Sequence, residues 1–260
     1  MAADPYLGRV ITAATYHQQQ KKKRVQFLAK DGDRRSPRCS FEGGITVKVI
    51  SHPSHPDRVF AYDVTFLLQH PRVVSVASLK PPLHFHPHQE EYLQVLEGRL
   101  AIEIEGEERV LSAEDGEVNF RPWTNHRLYA PLSKGAEEDL KVTRFLLSAE
   151  TTAELFRLDT VFFENWYAYQ DEIVVKGNKI NLIQVLSMFD AGGSYLSLPR
   201  WVPFSKTIAR GLGILVGRWI GGVLGYQPFH RKWTTDWQSA CHKMEMSMFQ
   251  RRFADRSKTE

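Results

Sequence analysis

Three histidines alternate in one short stretch of this 260-residue chain, and a glutamate follows shortly after them. In an extended strand, residues two apart share a face, so His84, His86 and His88 are predicted to project from one side. Imidazole nitrogens and a carboxylate on neighbouring strands are suitable ligands for a divalent transition metal. The stretch therefore predicts a strand that carries part of a metal site with Glu91, and His126 offers a further imidazole downstream.

The same stretch resembles the first metal-binding motif of the cupin superfamily, HxHx(4)Ex(6)G, with His84, His86, Glu91 and Gly98 at its fixed positions. The segment that ends at His126 resembles the second cupin motif, although it is one residue shorter and lacks the inner glycine. The resemblance implies that His84, His86, Glu91 and His126 hold a metal. Three imidazoles with one carboxylate suit Fe(II) or Mn(II), and Zn, Ni or Cu are alternatives.

Short apolar segments follow one another between residues 45 and 147 and are separated by turns, several of them rich in glycine. Many short strands with such turns are typical of an antiparallel sandwich or barrel. The β-branched segment 73–79 is predicted to be one of these strands. We therefore predict a mainly β fold, in agreement with the double-stranded β-helix (jelly-roll barrel) that the cupin resemblance implies, followed by an α-helical C-terminal extension.

The composition divides the chain into three parts. Residues 1–40 are polar and basic, which predicts a loosely ordered arm, and residues 41–148 form the predicted cupin barrel. Residues 149–260 are rich in aromatic side chains and in glycine and are predicted to be helical. One helix is predicted over 180–189 with a stop at the following glycines, and another over 236–253 with Thr235 or Asp236 as its cap.

Glycines recur every four residues between positions 213 and 225, so a helix there would carry a glycine stripe. A glycine in a helix interior lowers helix stability by about 1 kcal/mol relative to alanine. Four glycines on one face therefore indicate that another backbone packs closely against them. An arginine at the centre of a bilayer raises the free energy of insertion by about 2.5–3.5 kcal/mol, so Arg218 disfavours a membrane-spanning helix. The alternatives are a stripe packed on the aromatic face of the preceding helices, or an interfacial helix with Arg210, Arg218 and Lys206 as its basic edge. Residues 204–226 are thus expected to contact a membrane surface or to form a homodimer.

The chain has a net charge of +4 and shows no interleaved basic and aromatic surface, so no nucleic-acid partner is expected. Its two cysteines, Cys39 and Cys241, do not make a disulfide framework and fit a reducing compartment. The first residues lack the pattern of a secretory signal. A cytoplasmic location is expected, with a peripheral contact to an intracellular membrane as the alternative.

A metal inside a small barrel predicts an enzyme that acts on a small, largely apolar organic substrate. The chain is similar to single-cupin proteins of filamentous fungi, often found in secondary-metabolite gene clusters, which implies a cupin oxidoreductase or oxygenase, or dehydration, isomerisation or cyclisation. One alternative is a metal-free isomerase or cyclase in which His84 and His86 act as base and acid, helped by Tyr92 or Tyr129. His88 is a candidate proton donor. The other alternative is a non-enzymatic ligand-binding or membrane-associated cupin.

Overall fold

The computed structural model describes residues 37–131 and 140–257, so most of the predicted arm over residues 1–40 lies outside the described residues. The strands are β1 Arg38–Ser40, β2 Ile45–Val49, β3 Phe60–Leu67, β4 His84–Phe85, β5 Glu91–Glu97, β6 Leu100–Ile104, β7 Glu107–Leu111, β8 Glu117–Phe120, β9 His126–Tyr129, β10 Val142–Ala149 and β11 Tyr195–Leu196. The helices are α1 Pro71–Val76, α2 Thr160–Val174, α3 Leu182–Ala191, α4 Ser205–Leu224 and α5 Trp237–Glu245.

Two antiparallel sheets form the barrel. The first has the strand order β1-β2-β3-β10-β5-β8 and the second the order β11-β4-β9-β6-β7. Leu93 and Phe145 of the first sheet and Leu100 and Ile102 of the second are fully buried in one common cluster of apolar side chains. The two sheets therefore face each other across a shared core, which is the mainly β, jelly-roll arrangement predicted from the sequence.

The prediction of a strand over residues 73–79 is wrong, because α1 begins just before this segment. A proline lies in the first turn of α1, where its fixed φ and missing N–H cost nothing. His70 is the N-cap, and its side chain accepts a hydrogen bond from the backbone N–H of Arg72 at 3.3 Å. These helix-start signals outweigh the β propensity of the valines that follow, one of which, Val73, is buried.

Helices α2 and α3 share the barrel core rather than forming a core of their own. Phe163 of α2 packs against Phe60 and Tyr62 of β3, with ring centroids 5.0 and 5.3 Å apart. Phe189 of α3 is also buried in the cluster that contains the inner faces of both sheets. The aromatic residues that follow the last long strand therefore cover one end of the barrel.

The two helices predicted in the C-terminal part are present. Asn181 caps α3 by accepting a hydrogen bond from the backbone N–H of Gln184 at 3.1 Å, and α3 ends at Gly192, as predicted. Asp236 caps α5 by accepting from the backbone N–H of Ser239 at 3.0 Å. Helix α5 is shorter than predicted, because the chain after Glu245 continues in turns.

The glycine stripe lies in α4, a 20-residue helix that is π-helical over Gly213–Ile220. A Cβ atom added at Gly217 would lie 2.5 Å from both the carbonyl carbon and the oxygen of Leu186 in α3. The stripe thus brings the backbones of α3 and α4 into contact, as the recurring glycines indicated, although Gly217 meets the backbone of Leu186 rather than an aromatic face. Among the described residues, α4 is the one helix long and apolar enough to cross a membrane by length and composition.

The basic edge predicted for α4 is directed into the protein instead. Arg218 forms an ion pair with the buried carboxylate of Asp190, with nitrogen–oxygen distances of 2.6 and 2.8 Å. Lys206 forms an ion pair with Glu105 at 2.9 Å, and the charge of Arg210 acts on Asp190. A buried carboxylate needs such partners, since an unpaired buried charge is strongly destabilising. The exposed side of α4 is apolar and consists of Ile208, Leu212, Leu215, Trp219, Ile220, Val223 and Leu224.

Candidate metal centre

Strands β4, β5 and β9 and the residue that follows β4 bring the four predicted ligands together. His84 on β4 is the cross-strand partner of His126 on β9, and Glu91 is the first residue of β5 in the opposite sheet. His84, His86, Glu91 and His126 each offer one ligand atom, and these atoms lie within 4.8 Å of one another. All but His84 are almost fully buried. The four side chains therefore meet inside the barrel.

Each imidazole is oriented through its Nδ1 atom. The Nδ1 atoms of His84 and His126 lie 3.0 and 2.8 Å from the backbone carbonyl of the residue two positions earlier. The Nδ1 of His86 lies 3.0 Å from the hydroxyl of Ser194, which itself donates to a backbone carbonyl. A proton on each Nδ1 leaves the lone pairs on the Nε2 atoms, which is the orientation of most metal-binding histidines.

The Nε2 atoms of His86 and His126 point at the carboxylate of Glu91. The Oε2 atom of Glu91 lies 2.8 Å from Nε2 of His126 and 3.4 Å from Nε2 of His86. The Nε2 atom of His86 is buried and makes no hydrogen bond with any described residue. Lone pairs and a carboxylate repel each other at such distances, so the arrangement requires a cation between them, either a proton or a metal ion. The donor set fits a divalent transition metal.

The electrostatics of the cluster favour the protonation state that metal ligands need. Burial lowers the pKa of His84 well below its usual value, and the neighbouring imidazoles lower it further. Burial also lowers the pKa of His86. Burial alone would raise the pKa of the Glu91 carboxyl, but contacts with His126 and His86 outweigh it and hold this pKa well below its usual range. Neutral imidazoles at His84 and His86 and an ionised carboxylate at Glu91 are the forms in which these groups bind a metal.

His88 does not join the cluster. Strand β4 ends at Phe85, and the alternation that would have placed His88 beside His84 and His86 is lost in the turn that begins with Pro87. His88 is exposed to solvent. Its predicted role as a proton donor at the site is therefore not supported by its position.

The two tyrosines proposed as helpers also lie on the wrong faces of their strands. Tyr92 follows Glu91 directly and points the opposite way, where its hydroxyl donates to Glu90 at 2.5 Å. Tyr129 is three residues from His126 on β9 and therefore faces away from it, with Lys80 5.1 Å from its ring centroid. Neither phenol contacts the cluster, because strand alternation separates each from the neighbouring ligand.

The C-terminal part contributes to the site in ways that the sequence did not predict. Strand β11 pairs with β4, and Ser194 directly before it holds His86. Phe189 of α3 stands edge-on to the ring of His84, with centroids 5.7 Å apart. These contacts join residues about a hundred positions apart, and the only local signal was the glycine pair at 192 and 193 that ends α3.

This fold and donor set define a cupin. A Cupin domain family model matches residues 74–137. A solved RmlC-like cupin from Shewanella frigidimarina is 16% identical and covers 47% of this chain and 89% of that one, with a TM-score of 0.32.

Closer relatives come from fungi. An oxidoreductase of Arthrobotrys oligospora is 44% identical over 223 residues, covering 85% of this chain and 86% of that protein. The probable oxidoreductase yanE of Aspergillus niger is 45% identical over 224 residues, covering 85% and 84%. The epoxidase atD of Aspergillus terreus is 38% identical over 177 residues but is covered over only 54% of its length. The chain belongs to this family of fungal cupin oxidoreductases, and the prediction of a cupin enzyme is confirmed.

The start of β5 predicts different effects for Glu91, its first residue, and for Glu90 directly before it. Glu91→Gln should weaken metal binding by at least about 10-fold, because it removes the negatively charged ligand. Substitution of residues that only contact the ligands already lowers metal affinity by about 10- to 100-fold. Glu90→Gln is the matched control, since Glu90 faces the other side and contacts Tyr92 and Asn119. Metal content and affinity of the purified variants provide the measurement. A larger loss in Glu90→Gln would show that the register is shifted by one residue.

Proposed function

We propose that this chain is a metal-dependent oxidoreductase that acts on a small, largely apolar organic molecule in fungal secondary metabolism. The observation that carries the proposal is the convergence of three oriented imidazoles and one ionised carboxylate inside the barrel. The names of the related proteins support a redox reaction, and epoxidation by one of them points to oxygen chemistry. Fe(II) or Mn(II) is the proposed metal.

Different residues of the chain have different proposed roles. His84, His86, Glu91 and His126 would hold the metal, which when bound supplies a Lewis-acidic or redox-active centre with open positions. Ser194 keeps the imidazole of His86 in its orientation. The remaining wall of the barrel and helices α2 and α3 keep bulk water away, which strengthens electrostatic interactions within the site.

One observation favours a second function. The 2.8 Å contact between His126 and Glu91 is also what a metal-free acid–base pair would show. In that case the chain would be an isomerase or cyclase, with a proton rather than a metal between the two groups. The geometry around His86 favours the metal, since its Nε2 atom has no hydrogen-bond partner among the described residues.

The location is also proposed rather than shown. Cys39 and Cys241 are both free, which supports a reducing compartment and hence the cytoplasm. The apolar side of α4 is where contact with a membrane surface or a second copy would occur. Without the predicted basic edge, this association remains a prediction that depends on the exposed apolar side chains alone.

The test begins with a fungal strain that lacks the gene. We expect this strain to accumulate a small apolar precursor, which the purified, metal-loaded protein converts to a product that differs by oxidation. Conversion should stop when a chelator removes the metal and should resume when Fe(II) or Mn(II) is returned. Conversion at full rate by metal-free protein, or a product that is an isomer of the precursor, would support the metal-free alternative instead.

A further inference from the structure

Two side chains near the metal centre remain partly accessible to solvent among buried neighbours. His84 and Tyr167 both lie deep in the protein, yet each keeps some solvent-accessible surface. By contrast, His86, Glu91 and His126 are almost fully buried. Solvent therefore reaches the cluster at His84, and Tyr167 is a second partly accessible side chain in this part of the protein.

The register of the first sheet explains how Tyr167 comes near the ligands. Phe60, Ala149 and Glu91 are direct neighbours across three adjacent strands. Phe163 of α2 packs on Phe60 at 5.0 Å, and Tyr167 lies one helical turn further along the same face. The small side chain of Ala149 leaves room between Phe60 and Glu91. The ring centroid of Tyr167 lies 6.3 Å from that of Phe163, on the face of α2 that packs on this part of the sheet, and the charge of Glu91 acts on its hydroxyl.

The hydroxyl of Tyr167 is not engaged by another described residue. In residues 37–131 and 140–257, no group forms a hydrogen bond with it. Burial raises the pKa of this phenol above its usual value. The phenol therefore keeps its proton and offers it as a hydrogen-bond donor.

We propose that Tyr167 binds the substrate by donating a hydrogen bond to a substrate oxygen beside the metal centre. This inference rests on the proposed function and specifies its substrate. The surrounding walls are aromatic, since Phe189 stands edge-on to His84 at 5.7 Å and Trp166 edge-on to Phe189 at 4.8 Å. Aromatic walls with one donor fit a small apolar ring that carries a carbonyl or phenolic oxygen.

The test uses the full chain loaded with Fe(II) without oxygen, and nitrocatechol as the probe. Nitrocatechol is an aromatic ring with neighbouring oxygens that can chelate the metal, and its visible absorption changes on binding. Tyr167→Phe keeps the ring and removes only the donor, so it should bind the probe about 10-fold more weakly than the wild type. Tyr226→Phe is the matched control, because its hydroxyl meets Asn181 at the protein surface, 2.8 Å away.

Metal content and melting temperature are measured before the titration, so that the outcomes can be separated. Weaker probe binding by Tyr167→Phe alone, with the metal content unchanged, supports the inference. Equal probe binding by Tyr167→Phe and the wild type overturns the inference and leaves the proposed function standing. Loss of metal in Tyr167→Phe also overturns it, since the hydroxyl would then support the metal rather than the substrate. A wild type that binds no metal overturns the proposed function, and this inference falls with it.

Discussion

Replacing His126 with glutamine is expected to lower the metal affinity of the purified protein by more than about 100-fold. This loss exceeds the one expected when a residue that only contacts a ligand is replaced. The imidazole of His126 is a predicted ligand, lies 2.8 Å from Glu91 and is stacked on Phe120 at 4.3 Å. Glutamine occupies a similar volume but is a poor ligand for a transition metal. Metal analysis after dialysis against a weak chelator provides the measurement, and loss of metal-dependent conversion should accompany it.

His88→Gln is the matched control, because it makes the same change two residues beyond His86 at an exposed position. It should retain its metal. Thermal unfolding separates ligand loss from misfolding. A metal that binds only the folded state raises the free energy of unfolding by about 2.7 kcal/mol when its concentration is 100 times its dissociation constant. Added metal should therefore raise the melting temperature of the wild type and of His88→Gln but not of His126→Gln. Equal losses in both variants would contradict the ligand assignment.

The ligands could be predicted from the sequence because local alternation and the cupin motif together identify them. His84 and His86 alternate in one segment, so strand periodicity places them on one face, whereas Glu91, the first residue of the next strand, was selected by the spacing of the cupin motif. His126 depends on the pairing of β4 with β9, which the cupin resemblance supplied. The same local rule failed at His88, where a proline turn ends the strand.

The environment of the site could not be predicted in this way, because it depends on contacts between distant segments. Ser194 reaches His86 across 108 positions, and Tyr167 comes near Glu91 only because α2 packs on β3. Arg218 was expected at a solvent-facing edge, but Asp190 provides a buried partner 28 positions away. Periodicity identifies which side chains share a helix face. The partner of that face is fixed only by the tertiary fold.

Helix α4 contacts the backbone of α3 at Gly217. Gly217→Ala should lower the free energy of unfolding by about 1–3 kcal/mol, the usual cost of overpacking, and the melting temperature by about 2–10 °C. The added Cβ would lie 2.5 Å from backbone atoms of Leu186, which cannot rotate away as a side chain can. The helices would have to separate, which would weaken the contact that positions α3 and its Phe189 over the metal centre.

Gly211→Ala in the same helix is the matched control. Gly211 is exposed, and a Cβ added there meets no atom within 4 Å. Alanine is favoured over glycine in a helix interior by about 1 kcal/mol, so Gly211→Ala should raise the melting temperature by about 2–4 °C. Thermal unfolding of the metal-free variants gives both values. Changes of opposite sign in the melting temperature would show that close backbone contact, rather than helix propensity, accounts for the glycine stripe. Stabilisation by both substitutions would contradict the packing of α4 on α3.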